Sequence, residues 1–190
     1  MLDTLPGRRR EGRCDLGRAD LAHVGMSGHS FGAHTTQALA GQRFPATTTA
    51  TAEPRISASI AFSPSPPNGG PDAQMMADVH RPFFSVTGTE DVARLASSIS
   101  AADRERPFRA MPPGDKYLLV LAGGTHANFS GSTEGFGRQG PSDHLRRAVI
   151  ETTTAFWRWT LLGDRLAKRA LDEPGAFRNV LKGGDRFERR

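Results

Sequence analysis

The pentad Gly28-His29-Ser30-Phe31-Gly32 constrains this chain more than any other stretch. It follows a short apolar run, Leu21-Ala22-His23-Val24-Gly25-Met26, and leads into Ala33-His34-Thr35-Thr36-Gln37-Ala38-Leu39-Ala40, which can wind as a helix. Strand, G-x-S-x-G and helix, in that order, make a nucleophile elbow. The serine of such an elbow sits on a turn sharp enough to strain its backbone. Side chains at positions 28 and 32 are expected to clash with the neighbouring strand and helix. The turn projects the Ser30 hydroxyl at the carboxyl end of the strand and turns the Phe31 amide, at the helix N-terminus, toward a developing oxyanion. With 21 glycines in the chain, a Gly-rich turn would produce the same pentad. Partners elsewhere have to decide between the two readings.

Three further short apolar runs read as strands, at residues 56–62, 82–88 and 116–121, each bounded by turn residues as strands buried on both faces are. The helix after the elbow is expected over residues 31–42, with Phe31, Ala38 and Leu39 facing inward. Residues 46–54 read as a surface loop, and the Pro-rich residues 63–71 as a loop at a strand's carboxyl end. Leu145, Ala148, Val149, Thr152, Phe156 and Trp159 recur at helical spacing behind the start signals Pro141 and Ser142, and residues 164–172 suit a shorter helix. Strands alternating with crossover-length segments predict an α/β fold, a mostly parallel sheet with flanking helices. Residues 1–14 read as a loosely ordered lead, 15–172 as the folded domain and 173–190 as an irregular, charged tail.

The net charge of +5 does not single out a nucleic-acid partner. The arginines concentrate in residues 8–18 and 165–190, interleaved with Asp and Glu, and neither a zinc-finger spacing nor an aromatic RNA-binding signature accompanies them. No apolar run approaches the length of a membrane span. The basic cluster near the N-terminus has no apolar segment behind it, so it is not a secretory signal; cytoplasmic is the default compartment. Cys14 is the only cysteine, which excludes a disulfide within the chain. No metal-ligand spacing appears, and no cofactor is called for.

A serine nucleophile needs a base, and the base an orienting acid. In an open α/β sheet these groups lie just beyond the carboxyl ends of strands. Asp91 leaves the third predicted strand in Val86-Thr87-Gly88-Thr89-Glu90-Asp91, and His126 leaves the fourth in Ala122-Gly123-Gly124-Thr125-His126. Glu90 stands beside Asp91 as an alternative acid; Asp103 and Asp115 lie further from the strand end. Among the other histidines, His29 and His34 flank the elbow but point away from Ser30, and His23 lies within the first strand. His80 precedes the third strand at the wrong end of the sheet, and His144, in the first turn of the long helix, suits a solvated role. Phe62, Phe129 and residues 63–71 stand where an acyl pocket would form, although core or loop filling is the commoner role for such residues.

The stretches GHSFGA, VTGTED and GGTHANFSG resemble the serine branch of the dienelactone-hydrolase-like α/β-hydrolases, close to platelet-activating-factor acetylhydrolase-like and chlorophyllase-like esterases. The similarity runs from about Asp15 into the tail, where LDEPGAF has the same flavour. The chain order Ser30, Asp91, His126 is the nucleophile–acid–histidine order of that fold. The resemblance implies Ser30 as nucleophile, His126 as general base and then acid, Asp91 as its partner and the Phe31 amide in the oxyanion hole. It implies a small-molecule carboxylic ester as substrate, hydrolysed through an acyl-enzyme. Dienelactone hydrolases themselves carry cysteine where this chain has Ser30, which favours ester hydrolysis over dienelactone chemistry. The resemblance also implies an eight-stranded sheet with the elbow after its fifth strand. On that expectation the chain is the carboxyl-terminal part of an α/β-hydrolase fold. It would lack the second oxyanion donor, and its first strand would be an open edge inviting self-association. The alternatives are a non-catalytic remnant or interaction fragment, or a serine peptidase or acyltransferase built on the same three residues.

Overall fold

The structure, a computed structural model, describes residues 2–7, 15–45, 51–92, 99–131 and 142–190. Five strands form one mixed sheet: β1 (Val24–His29), β2 (Ile56–Phe62), β3 (Phe83–Glu90), β4 (Lys116–Thr125) and β5 (Arg186–Arg189). They lie side by side in chain order; β1 to β4 are parallel, and β5 runs antiparallel to β4. The helices are α1 (Phe31–Ala40), α2 (Asp72–Met75), α3 (Arg106–Ala110), α4 (Asp143–Leu162) and α5 (Arg165–Asp172). This is an α/β fold, a mostly parallel sheet with helices on both faces.

Strand order equal to chain order sends every parallel crossover to the same side, because such connections share one hand. One face of the sheet accordingly packs Ala61 and Phe83 against Ala33, Met76, Val79 and Met111 from the crossovers, while Leu118 and Val120 meet Phe108 of α3. The other face is left for α4 and α5. There Ala58, Ile60, Phe84, Val86, Tyr117, Leu119 and Leu121 receive Leu145, Ala148, Phe156 and Leu171. Alternation along β3 and β4 sorts the two sets: Phe84 and Val86 to one face, Phe83 to the other. The α4 face is aromatic: Phe84 and Tyr117 lie 6.2 Å apart, and each is 5.6–6.0 Å from the rings of Phe156 and Phe187.

Helix α4 carries its predicted inward stripe, capped at its start by Ser142 Oγ, which accepts from Leu145 N, and at its end by Gly163 at φ 67°. Pro141 lies outside the described residues, as do 46–50 of the expected 46–54 loop. Helix α1 departs from expectation. Its buried positions are Ala33, Thr36 and Gln37, while Phe31 is 83% exposed. The elbow sets the rotation of the helix, and two polar residues hide on its inner face. Thr36 donates to Gly32 O, and the Gln37 side-chain amide bonds Gln42, Ser65 O and Ser65 N. The first strand begins at Val24, so His23 precedes it, paired with Asp20.

The tail is ordered where an irregular segment was expected. Phe177, Val180, Leu181 and Phe187 join the aromatic face, and β5 pairs with Tyr117 to Val120. These four apolar residues are too widely spaced among charges to give a periodic signal. In the lead, Leu2–Gly7 form a 3-10 helix tethered by the Asp3–Arg55 ion pair of 2.6 Å; residues 1 and 8–14, with Cys14, lie outside the described residues. No helix among the described residues is long and apolar enough to cross a membrane.

Candidate active site

Ser30 joins β1 to α1 at φ 56°, ψ −113°, a region costing about 1–3 kcal/mol for a residue with a Cβ. Two backbone bonds hold it there. Ser30 N donates to Phe62 O at 3.0 Å, and Ser30 O accepts the first helical bond from His34 N at 3.1 Å. The turn brings α1 so close to β1 that a Cβ on Gly28 would lie 2.2 Å from Gly32 O. Gly32 itself is different from expectation, since a Cβ there meets nothing within 4 Å. Gly28 is required by the close approach; Gly32 only supplies the backbone being approached.

Asp91 follows β3 directly and is fully buried. The ends of β3 and β4 are pressed together, since a Cβ on Gly88 would fall 2.2 Å from Gly124 O. That approach sets the Asp91 turn beside the residue leaving β4. His126 is that residue, opening the short 3-10 turn His126–Phe129. A reciprocal cap fixes the turn: Thr125 N donates to Asn128 Oδ1 while the Thr125 side chain accepts from the Asn128 backbone. His126 Nδ1 lies 2.8 Å from Asp91 Oδ1, and His126 Nε2 lies 2.9 Å from Ser30 Oγ. A carboxylate at that distance accepts a hydrogen bond from Nδ1–H, so Nε2 presents its lone pair to the serine hydroxyl. Ser30, His126 and Asp91 thus form one continuous hydrogen-bonded chain across three strand exits.

Burial works to raise the Asp91 pKa, but the hydrogen bonds from His126 and Thr87 and the charge of Arg104 hold it below the ordinary carboxylate value. It is therefore a carboxylate at neutral pH. Phe31 N, at the first position of α1, has no intrahelical acceptor and lies at the positive end of the helix. The arrangement can move a proton from Ser30 Oγ to His126 Nε2 as the oxygen attacks an electrophilic carbon, with Asp91 stabilising the imidazolium.

Glu90 is the last, exposed residue of β3, which leaves Asp91 as the carboxylate in contact with the histidine. Asp103 pairs with Arg106, and Asp115 with Lys168. His29 Nε2 donates to His126 O at 2.9 Å, its ring 4.7 Å from that of His126. Burial chiefly, with the facing His126, lowers the His29 pKa. His34 stands between Phe31 and Phe44, and His80 is exposed next to the amino end of β3. His144 is not the solvated residue expected: it is 14% exposed and bonded to Asp185 at 2.7 Å. The tail, irregular by its sequence, supplies that buried carboxylate.

Arg104 carried no signal in the sequence. Its guanidinium is 3.4 Å from Asp91 Oδ1 and 3.3 Å from His126 Nδ1, contacts made by chain segments 13 and 22 residues apart with no motif linking them. A cavity of about 490 Å³ opens beside the elbow, walled by Gly28, His29, Phe62, Phe129, Leu145 and Val149. Phe62 and Phe129 are among its lining residues, and none comes from the Pro-rich loop. Among the described residues no group of three or more His, Cys, Asp or Glu is arranged to hold a metal ion. Comparison with protein-family models and with curated proteins gives no match for this chain.

Proposed function

We propose that this chain is a serine hydrolase of small carboxylic esters, built on an α/β-hydrolase-type fold and akin to the dienelactone-hydrolase-like group that its motifs resemble. The observation that carries the reading is the Ser30–His126–Asp91 chain, with hydrogen-bond distances of 2.9 and 2.8 Å and a serine in the strained elbow conformation. A generic Gly-rich turn has no use for that conformation or for a buried carboxylate behind a histidine.

In the mechanism, Ser30 Oγ adds to the ester carbonyl while its proton passes to His126 Nε2. Asp91 holds the ring in place and stabilises the imidazolium. The Phe31 amide donates to the oxyanion; a donor of this kind is worth roughly 10²–10³ in kcat where it has been removed. His126 then protonates the leaving alkoxide, and a water deprotonated by His126 hydrolyses the acyl-enzyme. The test is covalent labelling of the purified chain with a fluorophosphonate probe, together with hydrolysis of a short p-nitrophenyl ester. Both are expected for the native chain and lost in Ser30→Ala; a native chain that neither labels at Ser30 nor turns over the ester sinks the reading.

One observation favours a second reading, an interaction fragment. Strand β1 lies at the margin of the described sheet, paired on one side only, directly beside the elbow. An open strand edge of this kind pairs readily with another chain.

A further inference from the structure

Arg104 is the largest of the fully buried side chains among the described residues, 1% exposed, and it lies in the 3-10 turn Asp103–Glu105 on the crossover to β4. Its Nη1 donates to Ser63 O and Pro64 O, each at 3.1 Å, where the chain leaves β2. Its Nε lies 3.4 Å from both the carbonyl and Oδ1 of Asp91. One cation therefore ties the exit of β2 to the turn that carries the acid.

The remaining contact is the informative one. Nη2 stands 3.3 Å from His126 Nδ1. That nitrogen holds one proton, which it donates in a hydrogen bond to Asp91 at 2.8 Å. The opposite tautomer would let Nδ1 accept from Arg104, but would set two lone pairs against each other at the shorter distance. Two N–H groups thus face one another, and the guanidinium acts on the ring through its charge rather than through a hydrogen bond. The other groups facing His126 are Ser30 from the elbow and His29 from β1; Asp103 acts on Arg104 from its own turn. The Asp91 carboxylate attracts positive charge onto the ring. A cation beside the same nitrogen opposes that pull.

We propose that Arg104 is a positioning residue of this site: it fixes the Asp91 turn against the end of β2 and counterbalances the carboxylate, so that His126 remains free to accept the Ser30 proton. The proposal rests on the ester-hydrolase reading for its purpose, but its physical content can be read on His126 itself.

The experiment is NMR detection of the His126 Nδ1–H proton, hydrogen-bonded to Asp91 at 2.8 Å, in the full chain at fixed neutral pH, native and with Arg104→Met, Arg104→Gln or Arg104→Lys, with thermal unfolding as the check on folding. In folded neutral variants the downfield resonance of this proton is expected to be lost as the Asp91 turn loosens, and fluorophosphonate labelling of Ser30 to slow with it. Arg104→Lys, which keeps the charge, should retain both. An unchanged resonance in a folded neutral variant, or its loss in a folded lysine variant, overturns the proposal. If neither neutral variant folds, the lysine variant alone decides. A native chain that fails to label at Ser30 overturns the ester-hydrolase reading instead, leaving the resonance to judge Arg104 separately.

Discussion

A single methyl group at Gly28 would sit 2.2 Å from one backbone oxygen and 2.3 Å from the carbon beside it, both belonging to Gly32. Neither atom is the end of a flexible side chain, so the elbow itself would have to open. Gly28→Ala is therefore expected to lose several kcal/mol of stability, more than the ~1 kcal/mol typical of point mutants, and to lose Ser30 reactivity with it. Gly32→Ala meets open space and should stay within about 0.5 kcal/mol of the native chain. Thermal unfolding of the two variants side by side measures the asymmetry. The pentad names both glycines, but only three-dimensional proximity separates their roles. The same limit applies across the site. Ser30, Asp91 and His126 were legible because strand exits are the places where such groups gather, and short apolar runs mark the strands. Glu90 and Asp91 could not be told apart, since one residue of register decides which side chain turns inward. Arg104 was illegible: its place depends on how a crossover packs, and nothing in its neighbours announces it.

Among the elements, α4 was readable from its stripe and β5 was not. A helix of 20 residues repeats its pattern enough to be recognised, whereas β5 has four residues, only one of them apolar. What ties the tail down is polar. Asp185 accepts from Ala122 N and Lys182 N, each at 2.8 Å, and bonds His144 at 2.7 Å. Burial tends to raise its pKa, but the two backbone donors and His144 hold it below 3.8. A lowered carboxylate pKa gives stability that is present above the unfolded value and lost as pH falls through the folded one. Asp185→Asn is thus expected to cost about 1–3 kcal/mol at neutral pH by leaving buried donors poorly paired. That deficit should shrink as pH falls from the unfolded-state value of 3.8 through the lower folded one, where the native carboxyl is protonated as well. Unfolding curves at neutral and acid pH check it; a deficit that does not narrow argues against the carboxylate's part in docking the tail.

At the scale of the whole molecule, the sheet is asymmetric. Among the described residues one edge is the short antiparallel β5, and the other is β1, whose outer side has no strand partner and which ends one residue before Ser30. If that margin recruits a second chain, sedimentation should detect concentration-dependent association of the native protein. Ser27→Lys, at an exposed position of β1, should suppress it, because edge lysines oppose strand pairing. A native chain that stays monomeric at high concentration removes self-association from the interaction reading. The sheet's order was partly legible: alternating strands and crossovers predict parallel pairing, but nothing in the spacing predicts that neighbours in the chain are neighbours in the sheet throughout.

That unbroken order sets a timetable. Each parallel strand is laid against the one before it, so no finished pair has to part for a later arrival. The 96 residues between Ser30 and His126 take roughly 5–20 s to synthesise at about 5–20 residues per second. For that interval the nascent chain holds an elbow without its base. On the proposed hydrolase reading, the Ser30 hydroxyl has no base in reach until β4 delivers His126, by which point most of the sheet already stands.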